Sequence, residues 1–269
     1  MRMVGGIRLY GRYLGVSVRS QMQYRASFVM LSIGHFLITG VEFAAILILF
    51  DRFGTLRGWT LPEIGLLYGM INTAFALSDA ASRGFDLFAT MVKRGDFDRV
   101  LLRPRGAALQ VAGQELTLRR VGRLAQGLIV LGWSASRLGI AWSTGKVLLV
   151  AASIASASCL FFGIVVLQAT AAFWTVETLE IFNCLTYGGV QTVQYPVAIY
   201  RTWFRKFFTY VVPLAAVSYF PGLAVLGKTD PLGTGRLFQS LAPLAGPAFL
   251  GLSLLAWRVG VRHYQSTGS

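Results

Sequence analysis

Phe28-Val-Met-Leu-Ser-Ile-Gly-His-Phe-Leu-Ile-Thr-Gly-Val-Glu-Phe-Ala-Ala-Ile-Leu-Ile-Leu-Phe50 is 23 residues with one carboxylate and one imidazole. A helix needs about 20 mostly apolar residues to cross the hydrocarbon of a bilayer. This stretch meets that length and is too long for the apolar core of a cleaved leader, so no such leader is expected. Working outward, Ile64–Ser82, Leu124–Trp142, Val147–Trp174 and Leu237–Trp257 read as further spans. Leu124–Trp142 is weaker because it holds Arg137, which can snorkel from a helix end. Thr60-Leu-Pro-Glu63 precedes the second run with a capping-box spacing and a proline just inside the helix start.

The whole 269-residue chain agrees with that reading. Hydrophobic residues are 55% and charged residues only 13%, about half the charge of a soluble domain. An ordinary soluble enzyme, a disordered tail and a coiled coil are thereby excluded. The net charge of +14 would suit a nucleic-acid binder, but the apolar runs do not, and no nucleic-acid partner is expected. Cys159 and Cys184 form no CxxC pair, and His35 and His263 lie far apart, so no metal site is expected.

Between Trp174 and Leu237 two readings stay open. By hydropathy Phe207–Gly227 is the fifth span, although it holds Pro213 and Pro221. Alternatively Ile181–Tyr200 spans, and Phe207–Gly227 is a broken, re-entrant segment, tolerated where protein or water covers its backbone. The charges favour six spans. Five arginines lie before Phe28, nine Lys or Arg lie in Arg83–Arg123, and Arg258 and Arg262 lie near the end. These are 16 of the 25 basic residues, and six spans put them all on one side. The positive-inside rule then makes that side, with both chain ends, cytoplasmic. In residues 1–27, Arg8, Arg12 and Arg19 fall on one helical stripe, broadly opposite Ile7, Tyr10, Leu14 and Val18. An interfacial helix among lipid headgroups is expected there.

Gly222-Leu-Ala-Val-Leu-Gly-Lys-Thr229 matches the P-loop pattern literally. A working P-loop joins a strand to a helix inside an α/β domain, and nothing around this apolar segment supplies one. It is read as a decoy. His35 and Glu42 are seven apart on one face of the first span, and Asp79 lies in the second. Ionisable residues inside a span are functional candidates by default, because burying charge in lipid is costly. No GxSxG or HExxH is present, and no catalytic constellation is expected. Gly65 and Gly69 form a GxxxG, which points weakly to close helix packing.

The stretch Arg83–Arg123 mixes turn, acid, base and apolar groups as a protein-docking surface does, and it equally fits a solvated loop that obeys the positive-inside rule. Its Gly95-Asp96-Phe97-Asp98, followed by Leu101-Leu102-Arg103-Pro104, carries a family likeness. So do Tyr195-Pro196 with Tyr200, Val212-Pro213, Tyr219-Phe220-Pro221 and the ending Tyr264-Gln-Ser-Thr-Gly-Ser269. Taken in order, these make the sequence resemble permease subunits of ABC-2 type ATP-binding-cassette exporters, in particular a bacterial subgroup of free-standing permeases.

The resemblance implies an all-α fold of six transmembrane helices with an interfacial helix at 1–27. It implies a coupling region at 83–123 and an extracytoplasmic or re-entrant segment at 201–236, with Ile181–Tyr200 as helix five. It implies a bacterial inner membrane and, as partners, two copies of an ATPase subunit and a second permease, identical or related, amid membrane lipids. ATP and Mg would be bound by the ATPase and no cofactor by this chain, which would not itself be an enzyme. The ATPase contacts implied are Phe85, Asp86, Asp96, Phe97, Asp98, Arg99, Arg103 and Pro104, with Glu177 and Glu180 as a second contact. Asn183, Thr186, Tyr187, Gln191 and Gln194 would line a path for amphiphilic cargo such as drugs, lipids or small peptides. Two rivals are the membrane subunit of an importer and a membrane-embedded lipid-modifying enzyme. The first would show paired coupling helices, and the second clustered acids or histidines around His35 and Glu42.

Overall fold

The computed structural model describes residues 11, 15–17, 19–115, 117, 120–175, 179–231 and 233–265. Most of the expected interfacial helix, including Arg8, Arg12, Leu14 and Val18, lies outside these residues, as does Glu177. Among the described residues the chain is helical, with no strand beyond a single bridge between Leu56 and Trp59. In chain order the elements are α1 (Arg25–Phe53), α2 (Leu61–Asp86), α3 (Phe88–Lys93), α4 (Asp96–Leu101) and α5 (Ala107–Ala112). They continue as α6 (Val121–Arg137), α7 (Thr144–Ala171), α8 (Leu179–Val193), α9 (Thr202–Lys206) and α10 (Leu214–Val217). The last are α11 (Tyr219–Leu226), α12 (Arg236–Leu241) and α13 (Ala245–His263).

Helix α2 is the hub. It lies between α6 and α7, α7 packs against α13, and α1 lies mainly on α6. The most apolar window of α2 is 78% buried, against 22% for α1, so α1 offers most of its apolar surface to lipid rather than to protein. The cap at Thr60 forms as its spacing requires: Glu63 Oε2 accepts the Thr60 backbone N–H at 2.8 Å. Gly69 lets α6 come close, since a Cβ there would stand 2.8 Å from the Leu131 backbone. The weak GxxxG signal thus marks a real helix crossing.

Four stretches are long and apolar enough to cross a membrane: Arg25–Phe53, Leu61–Lys93, Thr144–Ala171 and Arg236–His263. The chain is therefore an all-α, multi-pass membrane protein. Two of the six expected spans are shorter than expected. Helix α6 has 17 residues, about 26 Å at 1.5 Å per residue, and α8 has 15, about 22 Å. Arg137 is exposed in the last turn of α6, where it can reach polar surroundings.

Both readings of the fifth span find helix, and neither finds one straight rod of 20 residues. Helix α8 stops before Pro196 and passes into a short 3-10 turn at Val197–Ile199. Thr202–Val211 and Leu214–Leu226 meet at a bend of 72°. Pro213 sets that bend: it has no N–H to continue the ladder, and Phe207–Val211 runs as a π-helical turn before it. The second half is sunk in protein, with Leu214, Val217, Tyr219, Phe220, Leu223 and Val225 all buried. A milder irregularity precedes α13, where Ala242–Leu244, with Pro243, winds as a 3-10 turn inside the span Arg236–His263. Ser156 of α7 repairs it, its hydroxyl donating to the Pro243 carbonyl and accepting the Gly246 N–H at 3.2 Å.

Candidate functional site

At one end of the bundle, α3, α4 and α5 fold back on the ends of α2, α7 and α13. The reason is aromatic. Phe85, Phe88, Phe97 and Trp257 form one buried cluster with Val100, Val111, Val166 and Ala169. Ring centroids stand 4.9 Å apart for Phe88 and Phe97, 4.8 Å for Phe88 and Trp257, and 5.0 Å for Phe85 and Trp257. Edge-to-face packing at such distances adds to plain area burial. Gln110 fastens the far side, donating through Nε2 to the carbonyls of Val100 at 3.1 Å and Arg105 at 2.9 Å. Gly84 lets α2 touch α5: a Cβ there would stand 1.8 Å from the Val111 carbonyl oxygen.

The contacts expected in this segment therefore divide. Phe85 and Phe97 were expected on a partner-facing surface; both are core, at 1% and 0% exposure. Phe85, Phe88 and Val92, spaced by three and four, turn to the inside of the segment. The surface is made by Lys93, Arg94, Asp96, Arg99, Leu101, Leu102, Arg103 and Pro104, with Asp98 partly exposed. Arg99 and Asp96 pair loosely across one turn at 3.9 Å, which an exposed pair barely stabilises. Arg94, Asp96, Arg99 and Arg103 share the rim of an open cleft of about 430 Å³ with Thr90 and Gln114. Asp86 faces inward and is held by Arg83 and by Gln168 Nε2 at 3.3 Å. Glu180 lies in the first turn of α8, and its side chain is outside the described residues.

The polar residues of α8 also divide. Asn183, Thr186 and Tyr187 meet Asp79, Asp86 and Gln168 around a narrow polar crevice. Thr186 is buried and bonds its hydroxyl to the Phe182 carbonyl at 3.0 Å. Tyr187 is 44% exposed and its OH accepts from Arg120 Nη2 at 3.2 Å. Gln191 is exposed, Gln194 is buried, and Gln194 Nε2 donates to Gln191 Oε1 at 2.7 Å. These two do not line the crevice.

The intramembrane set is larger than His35, Glu42 and Asp79. Arg123 belongs to α6 rather than to a solvated loop, and it is only 6% exposed. Its Nε and Nη2 donate to Asn72 Oδ1 at 3.0 and 2.9 Å, and its guanidinium lies 4.6 Å from the Phe75 ring centroid. Glu42 is the carboxylate acting most strongly on it. Tyr68 ties the three helices together, donating to the Thr39 carbonyl at 2.8 Å and reaching Gln126 Oε1 at 3.4 Å. Arg120 pairs with Asp79. His35 lines a separate cavity with Asp79, Arg83, Thr117 and Arg120, so His35 and Glu42 serve different neighbourhoods. Arg123, Arg120 and Asn72 escaped the sequence reading. A basic run after a span reads as positive-inside, and only the helix start at Val121 shows that the last of those arginines is inside.

The P-loop pattern is a decoy in structure as well. Gly222 sits inside α11, and Gly227, at φ +70°, ends that helix. Lys228 is engaged elsewhere. Its Nζ bonds Glu63 Oε2 at 2.7 Å and the Gly58 carbonyl at 3.0 Å, and it lies 4.5 Å from the Trp59 ring centroid. Among the described residues, no three His, Cys, Asp or Glu stand close enough to hold a metal.

An all-helical bundle with several membrane-length apolar helices, and a charge-faced segment folded onto one end, defines the chain as a multi-pass membrane protein. The model of the ABC-2 family transporter protein matches residues 36–268, and the chain belongs to that family. It is thus a membrane component of an ATP-binding-cassette transporter, whose family partner is an ATP-binding-cassette subunit. No curated protein and no solved structure matches the chain.

Proposed function

We propose that this chain is the path-forming permease of an exporter, and that residues 88–112 dock its ATPase. The observation that carries this reading is the aromatic cluster under that segment. Phe88 and Phe97 stand on Trp257 of α13 and on Val166 and Ala169 of α7, with Phe85 of α2 beside them. A partner that pushes α4 therefore pushes three long helices at once, because a close-packed core transmits displacement instead of absorbing it. The charged rim of Arg94, Asp96, Arg99 and Arg103, with Asp98, Pro104 and exposed Leu102, offers the polar edge and apolar contact of a transient interface.

Six crossings with both ends cytoplasmic account best for the basic residues. In that arrangement α6 and α8 are the short spans, and Thr202–Leu226 is re-entrant from outside, its second half covered by protein. Two permeases, like or related, enclose the path and two ATPase subunits bind ATP and Mg. The exposed polar face of α8, with Asn183, Tyr187 and Gln191, lines a route for an amphiphilic cargo. Closure of the ATPases on ATP tilts the helices that the docked segments hold.

Reversing Asp96 and Asp98 to Lys in the complex tests this. ATP hydrolysis should continue while transport falls at least tenfold. Undiminished transport by the doubly reversed variant would exclude this docking surface.

A further inference from the structure

Two cavities meet at Thr117, between the start of α1 and the chain that runs from α5 to α6. The inner one, about 250 Å³, is lined by His35, Asp79, Arg83, Thr117 and Arg120. The outer one, about 690 Å³, has Val16, Phe28 and Leu31 on its apolar side and Ser20, Gln114 and Thr117 among its polar lining. Thr117 belongs to both. Its backbone N–H donates to the Ala80 carbonyl at 3.2 Å, which fixes the residue between them.

The inner cavity presents donors in excess. Thr117 is 6% exposed, and its hydroxyl has no hydrogen-bond partner among the described residues. The Nε–H of Arg83 is likewise buried without one. Arg83 directs Nη1 to Asp86, and Glu115 stands 3.9 Å from its Nε, beyond hydrogen-bonding range. Arg120 engages Asp79 through Nε and Tyr187 through Nη2. Three carboxylates surround the two guanidinium groups: Asp79 lines the inner cavity, Glu115 the outer one, and Asp86 is held on Arg83, so it is the two unmet donors, and not net charge, that call for an anion. A buried donor left unmade is costly, and an anion with several acceptor oxygens removes that cost twice in one site.

We propose that this pair of cavities binds an anionic phospholipid. Its phosphate takes the Thr117 hydroxyl and the Arg83 Nε–H in the inner cavity. Its glycerol and acyl portion fills the outer one and leaves along α1. The lipid source is argued from the outer wall. Beside Phe28 and Leu31, α1 continues with Val29, Met30 and Ile33 exposed at 50, 73 and 53%, a surface that a soluble anion would leave bare. The depth agrees. Arg83 lies one turn from the end of α2 and Arg120 just before α6, where headgroups meet helix ends. This site touches the docking cleft at Gln114 but does not depend on that reading.

The test uses the full chain, purified and stripped of lipid in a neutral detergent. Its melting midpoint is followed while dioleoylphosphatidylglycerol, dioleoylglycerol or inorganic phosphate is added. Phosphatidylglycerol should raise the midpoint saturably, and the other two should not. Thr117→Val keeps the shape and removes the hydroxyl. It should leave the lipid-free midpoint unchanged or higher and weaken phosphatidylglycerol about tenfold, the worth of one hydrogen bond to a charged group. Arg83→Lys should weaken it in the same direction. Equal affinity in Thr117→Val and the parent overturns the site. An equal shift with dioleoylglycerol also overturns it, because apolar filling would then suffice. An equal shift with inorganic phosphate overturns the lipid and assigns a soluble phosphate anion.

Discussion

Replacing Asn72 by Leu isolates what holds Arg123 inside the bundle. Asn72 is fully buried, and its Oδ1 accepts both guanidinium bonds, at 3.0 and 2.9 Å. Leucine has the same branched outline and is bulkier, so the change removes the acceptor and leaves no cavity. A hydrogen bond to a charged group is worth about 1.5–3 kcal/mol. The two bonds share one oxygen and count as little more than one. Breaking a buried charged contact outright costs about 3–5 kcal/mol. The Phe75 ring stays 4.6 Å from the guanidinium and the Glu42 charge still favours it, so the expected loss is about 2–4 kcal/mol. The assay is unfolding in mixed micelles of a mild detergent and dodecyl sulfate, read by tryptophan fluorescence. Asn72→Leu combined with Arg123→Met and Glu42→Gln should regain more than half of the loss, because no charge is then stranded. A single variant within about 0.5 kcal/mol of the parent would refute the reasoning. A triple variant less stable than the single one would refute it too.

Other consequences follow from particular contacts. Gly84→Ala forces a Cβ to 1.8 Å from the Val111 carbonyl; it should loosen residues 88–112, seen as faster proteolysis after Arg94 or Arg99, while α2 stays folded. Lys228→Ala should leave nucleotide hydrolysis by the assembled transporter intact and lower chain stability by about 1 kcal/mol, the scale of a partly exposed ion pair with a ring contact. Abolished hydrolysis would restore the P-loop. Ser156→Ala removes the hydroxyl that serves both Pro243 and Gly246, and should cost about 1–3 kcal/mol in the same micelle assay.

The spans were legible where one physical rule acted alone. Phe28–Phe50 is apolar at membrane length and is the greater part of α1. Thr60 and Glu63 announce the start of α2 by their own chemistry, and Pro213 announces the bend. Legibility failed where one residue type serves two ends. Phe85 and Phe97 sit in a charged stretch where an aromatic side chain can serve either a docking face or a buried core, and only the arrival of Trp257, some 160 residues away, decides between them. Arg123 fails for a related reason. Its charge argues for water, but Asn72, 51 residues earlier, supplies a buried acceptor that no local pattern reveals. His35 and Glu42 share a helix face, yet their neighbours come from different helices and divide them.

The central claim is that this chain works as the membrane half of an ATP-driven transporter, engaged through residues 88–112. The most direct measurement is to purify the tagged chain gently from its native membranes and identify by mass spectrometry what accompanies it, beside the Asp96→Lys/Asp98→Lys variant. An ATP-binding-cassette ATPase should accompany the parent chain in stoichiometric yield, with vanadate-sensitive hydrolysis in the same fraction and weakened recovery with the variant. Recovery of the chain alone, under conditions that keep a control transporter assembled, would contradict it.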